Sequence, residues 1–325
     1  MKRVLAISLA LLASCALIFA AALIRPAGNA ADGQYKLGMG TVVSLADGEA
    51  KATVTTVAVI TDGNGIIVDC VIDCGDFGIS FDDVKAGKSG EYKTKNELGD
   101  DYGMVNYKAS DKEWYEQADY FASYVKGMDA KKATLLDIGA DGKAGSSDLT
   151  AGCTIDISDF KKALVKAMGD TLAVSFKTEE APVLSLAMIN KDSIGSAEDA
   201  HPVDMITDVC AVASFEGKVL AAVTDVCESK FTYAADGALT AQSFGGTKRE
   251  KLDSYGMVAY AGAKYEWYEQ ADSFCAYIKG MTSEDIAAIK TTDVGKAQDA
   301  DLLAGCTVAI GDFVKIAEKA LGNAK

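Results

Sequence analysis

Two short segments carry the residue types that could do chemistry. Asp148-Leu149-Thr150-Ala151-Gly152-Cys153-Thr154 runs into Ile155, and Asp301-Leu302-Leu303-Ala304-Gly305-Cys306-Thr307 runs into Val308. Each places an acid, a glycine, a thiol and a hydroxyl in the same order, just ahead of a stretch that reads as a closing helix (Ser158–Met168 and Asp312–Leu321). A small-residue turn there exposes the threonine hydroxyl and backbone N–H groups, and a helix amino terminus attracts phosphate through unpaired donors and its dipole. Gly152 and Gly305 let the backbone come close to a ligand. The plainer reading is a tight turn whose threonine caps the helix.

Other chemistries lack their parts. His201 is the only histidine, so Ser-His-Asp and Cys-His hydrolysis and His-rich zinc sites have no imidazole to build on. The eight cysteines contain no Cys-x-x-Cys pair, which leaves zinc ribbons and thioredoxin-type redox motifs unsupported. No catalytic set and no metal site is expected.

The elements that must position these segments come as a repeat. Thr94–Asp170 aligns with Thr247–Asn323 at a constant offset of 153, with 37 of 77 positions identical. Upstream the register is weaker, with Cys74 matched to Cys227. Repeats of this size are domains with room for their own cores. The spacing divides the chain into residues 1–30, a first repeat at 31–172 and a second at 173–325. Thr53–Ile60, the turn 61–65 and Ile66–Cys74 predict a β-hairpin. Alternation puts Ile66, Val68, Cys70, Ile72 and Cys74 on one face and Asp69 and Asp73 on the other, with Cys227 continuing the pattern of Val219, Ala221 and Val223. Asp111–Lys126 predicts a helix with Asp111 as N-cap, Gly127 as C-cap and an inward stripe of Trp114, Ala118, Phe121, Val125 and Met128. Its counterpart uses Trp267, Ala271, Phe274 and Ile278. Tyr115, Tyr268 and the tryptophans could instead form an aromatic wall beside a planar ligand. The fold class is α+β: two tandem homologous domains, each a mostly antiparallel sheet covered by helices.

The repeated motif resembles the attachment motif of the FMN-binding domain family, whose members include the flavin-carrying G subunit of the Rnf complex and the C subunit of the sodium-pumping NADH:quinone reductase. That motif is Asp-x-x-Ser-Gly-Ala-Thr followed by an aliphatic residue. Asp148, Gly152, Thr154 and Ile155 match it, as do Asp301, Gly305, Thr307 and Val308; Ala151, Ala304, Cys153 and Cys306 depart from it. Asp32-Gly33-Gln34-Tyr35 with Gly38 is similar to the family's opening Asp-Gly-x-Tyr-x-x-Gly. The resemblance implies FMN esterified to Thr154 or Thr307 by a separate flavin transferase, with Asp148, Asp301, Gly152, Gly305, Cys153 and Cys306 as the surrounding cofactor-binding positions.

Residues 1–30 set the compartment. Lys2-Arg3 precedes a charge-free apolar run, Val4–Ile24, that reads as an export signal or membrane anchor. Gly28-Asn29-Ala30 offers a cleavage site, and Leu12-Ala13-Ser14-Cys15 resembles a bacterial lipobox. All three readings put the rest of the chain outside the cytoplasm, membrane-anchored or secreted. The net charge of −15 repels phosphate backbones, so nucleic acid is not expected as a partner. The outline of a calcium loop at Asp137–Asp148 breaks at Gly139, and the second repeat has Lys290 and Val294 at its ligand positions. Lys93-Thr94-Lys95 and Lys248-Arg249 are basic clusters that read as solvated loops or phosphate partners, and His201 as a surface-loop residue. Two functional classes follow: an exported, membrane-associated electron carrier with FMN and an unknown redox partner, or a cofactor-free cell-surface binding module. A stand-alone enzyme has no activated nucleophile to support it.

Overall fold

Val57-Ala58-Val59-Ile60 and Val209-Cys210-Ala211-Val212-Ala213 are buried throughout. Runs that continuous belong to strands covered on both faces rather than to strands with one wet side. The computed structural model, which describes residues 33–169, 173–195 and 200–324, shows what covers them. The first half forms an antiparallel sheet of β1 (Gln34–Leu45), β2 (Lys51–Asp62), β3 (Ile67–Gly78) and β4 (Ala173–Lys177) in the order β3-β2-β1-β4. The second forms one of β5 (Val183–Ile194), β6 (Ala200–Phe215), β7 (Lys218–Ala234) and β8 (Leu239–Phe244) in the order β5-β6-β7-β8. β4 lies beyond the expected boundary at 172/173, yet it completes the first sheet by pairing with β1.

The two sheets stack face to face. Leu37, Met39, Val54 and Phe77 pack with Leu186, Met188, Val223 and Phe231 in one shared core. The outer face of the first sheet is covered from among α1 (Phe81–Lys85), α2 (Lys95–Leu98), α3 (Trp114–Val125), α4 (Ala130–Thr134), α5 (Ser147–Thr150) and α6 (Ser158–Ala167), chiefly by α3 and α6. The second half follows with α7 (Lys248–Lys251), α8 (Met257–Ala261), α9 (Trp267–Tyr277), α10 (Ser283–Ala287), α11 (Ala300–Gly305) and α12 (Gly311–Gly322), where α9 and α12 cover the outer face. The layers run helix, sheet, sheet, helix. No helix among the described residues is long and apolar enough to cross a membrane. Residues 1–30, including the proposed anchor, and Asp32 of the opening motif lie outside the described residues.

Strand periodicity needs correction. The β2–β3 register slips between Ile60 and Thr61, leaving Val68 as a bulge. Ile67, Cys70, Ile72 and Cys74 therefore face the helices, while Val68 packs on the shared core, because a bulged residue flips the parity of what precedes it. β7 has the same irregularity beside Ala213, so Val219 faces the helices and Ala221, Val223 and Cys227 face the other sheet. Cys74 and Cys227 are thus not counterparts. Asp73 accepts from the N–H of Cys74 and Asn96, and Asp225 accepts from those of Val226 and Arg249, so the strand offset is 152 and not 153.

Gly38 of the opening motif has a packing cause. A Cβ there would lie 1.9 Å from the Ala167 carbonyl oxygen, and one on Gly40 would lie 2.2 Å from that of Ala163. α6 crosses β1 so closely that only glycine fits.

Candidate functional site

The site is organised from the start of α3. Its N-cap is Glu113 and not Asp111: the Glu113 N–H donates to Glu116 (2.8 Å), closing a capping box. The buried Glu113 carboxylate also accepts the N–H groups of Met104 (2.9 Å) and Val105 (3.0 Å), which fixes the loop before the helix. Glu266 does the same for Met257 and Val258, both at 2.9 Å. The inward stripe of Trp114, Ala118, Phe121 and Val125 is buried as expected, and so is that of Trp267, Ala271, Phe274 and Ile278.

Within that stripe sits one polar side chain, Gln117, fully buried. Its amide oxygen accepts the N–H (2.9 Å) and the hydroxyl (3.1 Å) of Thr154, and its amide nitrogen donates to Ser110 Oγ and the Lys112 carbonyl, both at 3.1 Å. In the second half Gln270 accepts the N–H (2.8 Å) and hydroxyl (3.1 Å) of Thr307 and the N–H of Val308 (3.1 Å). The threonine hydroxyl is thus the donor, which leaves its oxygen lone pairs free. Thr154 is exposed and Thr307 half-buried.

The rest of the motif serves packing. Leu149, Cys153, Leu302 and Cys306 are buried in the helical-layer cores. Burial pushes both thiols up to about 11, which keeps them protonated and unreactive at neutral pH. A Cβ on Gly152 would lie 2.1 Å from the Tyr120 ring, and one on Gly305 would lie 2.5 Å from Ser273 Oγ. These glycines let α3 and α9 pack closely against the motif. Asp148 and Asp301 are exposed in the first turns of α5 and α11, and Tyr120 donates its hydroxyl to the Asp148 carbonyl at 2.9 Å. The expected donor nest at the α6 start is also absent from Thr154: its own N–H goes to Gln117, and that of Ser158 goes to Asp156 at 2.8 Å.

A cavity of about 600 Å³ opens at Thr154, lined also by Lys108, Ser110, Lys112, Gln117 and Gly152. A second, of about 680 Å³, lies beside the other motif and is lined by Val308 and Ala309 together with Trp267, Tyr260, Lys191 and Asp208. Burial raises Asp208 to about 6 against the pull of Lys191, whose ammonium lies 3.5 Å away. Trp114 and Trp267 are core residues, edge-on to Phe160 (5.6 Å) and Phe313 (5.7 Å). Tyr115 and Tyr268 donate to Asp100 (3.1 Å) and Asp253 (3.2 Å). Of the expected aromatic wall, Trp267 lines the second cavity.

Of the basic clusters, Lys95 and Arg249 are buried, Lys248 is half-buried and Lys93 is exposed. Lys95 pairs with Asp76 (3.2 Å), Lys248 with Glu228 (2.9 Å), and Arg249 with Asp272. His201 lies on β6 and not in a loop, its ring 5.7 Å from Phe81. Sequence reasoning missed Gln117, Gln270, Lys108 and Lys112. It also missed Tyr107 and Tyr260, which stand 84% and 89% exposed on the turn held by Glu113 and on α8 held by Glu266.

No protein-family model, curated protein or solved structure matches the chain. Among the described residues no group of three or more His, Cys, Asp or Glu is placed to hold a metal ion.

Proposed function

We propose that this chain is an exported, membrane-associated electron carrier that holds FMN through a phosphate ester to a threonine of the repeated motif. One observation carries the reading: the Thr154 hydroxyl, oriented by a buried glutamine, stands at a cavity that also presents two lysines and a serine. The residues suit the phosphate end of the group, with Asp111 as the one carboxylate in the lining. A cavity near 600 Å³ falls within the roughly 300–1,000 Å³ typical of small-molecule sites, and ammonium and hydroxyl donors are what a phosphate needs. When bound, the flavin supplies the redox chemistry, and the protein supplies attachment and orientation. Matching bonds at Gln117 and Gln270, with the repeated sequence, support two homologous units. Residues 1–30 would deliver them outside the cytoplasm; a flavin transferase would mature the protein, and the redox partner is a separate one.

The test is intact mass and visible absorbance after co-expression with a flavin transferase, compared with Thr154→Ala and Thr307→Ala. Added FMN mass that disappears with a threonine is the expected result. An unmodified, colourless protein would favour the second reading, a cofactor-free binding module. That reading draws on Tyr107 and Tyr260, large aromatic side chains held out to solvent at matching places.

A further inference from the structure

We infer that the two threonines are not equivalent: Thr154 alone takes the phosphate ester, and Lys108 and Lys112 are the groups that recognise the phosphate. This rests on the flavin-carrier reading and goes beyond it. Thr154 is exposed and lines a cavity with Lys108 and Lys112, whereas Thr307 is half-buried, and the cavity beside its motif, lined by Val308 and Ala309, lies at a different place on its half. The cation set differs as well. Where the first half has Lys108, Ser110, Asp111 and Lys112, the second has Ala261, Ala263, Lys264 and Tyr265; Lys264 lies over the Tyr265 ring at 4.6 Å, and Lys191 and Lys248, which line the other cavity, are paired with Asp208 and Glu228.

Lys112 is brought to the motif by stacking. Its ammonium lies 5.3 Å from the Tyr120 ring centroid, and that ring packs against Gly152, two residues from Thr154. Ser273 replaces Tyr120 in the second half, so the stack has no counterpart there. Lys108 is held at φ +56°, a left-handed conformation that favours glycine. The second half uses Gly262 (φ +62°) for its turn instead. Asp111 shares the cavity, but among the described ion pairs neither Lys108 nor Lys112 has a carboxylate partner. Two ammonium groups beside an oriented hydroxyl supply the donors that an anionic ligand takes.

Ester formation needs an activated phosphate, which a flavin dinucleotide provides. Thr154 Oγ bonds to the flavin-side phosphorus, the pyrophosphate P–O bond breaks, and the nucleoside monophosphate leaves with the electron pair. The hydroxyl proton passes to a base of the transferase or to solvent.

The experiment is transferase-dependent loading of the full chain, read by intact mass and peptide mapping, with melting temperature as a folding control. The wild type should gain one FMN; Thr307→Ala should keep it and Thr154→Ala lose it. Lys108→Gln with Lys112→Gln should lower the initial loading rate at least tenfold at unchanged melting temperature. Two flavins per chain, or one on Thr307, would overturn the inference while leaving the carrier reading intact. Wild-type loading of the double lysine variant would overturn the phosphate role of the lysines. A chain that takes up no flavin at all would overturn the carrier reading, and this inference with it.

Discussion

Lys166 on α6 meets Glu250 on α7 at 2.5 Å, and the same contact recurs with the halves exchanged, Lys319 on α12 meeting Glu97 on α2 at 2.6 Å. Each lysine also donates to a strand carbonyl, Lys166 to Thr41 (2.8 Å) and Lys319 to Met188 (2.7 Å). Each glutamate closes a capping box in its own half. The halves are therefore related by an approximate two-fold, with the sheet-to-sheet core on its axis. Half-exposed pairs of this kind contribute about 0–1 kcal/mol each, so they orient the halves while the apolar contact holds them.

From the shared core we expect one unfolding transition for both halves. Trp114 and Trp267 lie in different helical layers, so Trp267→Phe and Trp114→Phe leave one reporter in each half. Urea titrations of the two variants by fluorescence should give coincident midpoints. Met39→Ala, at 1% exposure in the shared core, should cost about 2–5 kcal/mol and move both reporters together. Lys166→Ala should cost no more than about 1 kcal/mol. Separate midpoints would show that the halves fold independently.

Gln117 matters more to stability than the threonine it holds. Gln117→Leu removes the buried amide that ties Thr154 to Ser110 and the Lys112 carbonyl and should cost about 1–3 kcal/mol. Thr154→Val removes an exposed hydroxyl and should cost under about 1 kcal/mol. Thermal melts of the two variants compare them directly, and an inverted order would remove Gln117 from its central position.

Leu252 occupies φ +46°, where its counterpart Gly99 has φ +53°. Its side chain is 41% exposed, so little packing offsets the backbone strain. Leu252→Gly should stabilise the protein by about 1 kcal/mol, and Gly99→Leu should destabilise it by as much or more. For a chain of this size the shift is a few degrees in melting temperature.

Asp208 gives the pH dependence a sign. The folded state keeps its proton up to about 6 because the carboxyl is buried, while the unfolded state releases it near the ordinary value of about 3.9. Stability from this group is full below about pH 4 and is lost as the pH rises through about 6. Asp208→Asn stays neutral throughout. Its stability relative to wild type should therefore rise between pH 4 and pH 7, by up to about 3 kcal/mol for a shift of roughly two units. Denaturant midpoints at pH 4, 5.5 and 7 measure it; a difference that is flat or falls would refute the assignment.

The helical layers were legible because a 3.6-residue stripe survives any tertiary context: Trp114, Ala118, Phe121 and Val125 follow it and are buried. The strands were legible in extent but not in facing. Bulges at Val68 and beside Ala213 reverse parity without any mark in residue type. The stacking of the sheets had a signal that was passed over, the unbroken apolar runs of β2 and β6. At the site, the threonines stood out through repetition. Gln117 had a signal too, as the polar residue inside an apolar stripe in both repeats. Lys108 and Lys112 had none, since only folding brings them beside a residue more than forty positions later.

The glycine-floored crossing of α6 over β1 and its partner layer on α12 leave both sheets between Thr154 and Thr307. A body that grips one helical face covers nothing on the other. The molecule can therefore serve as a spacer with two separately addressable ends.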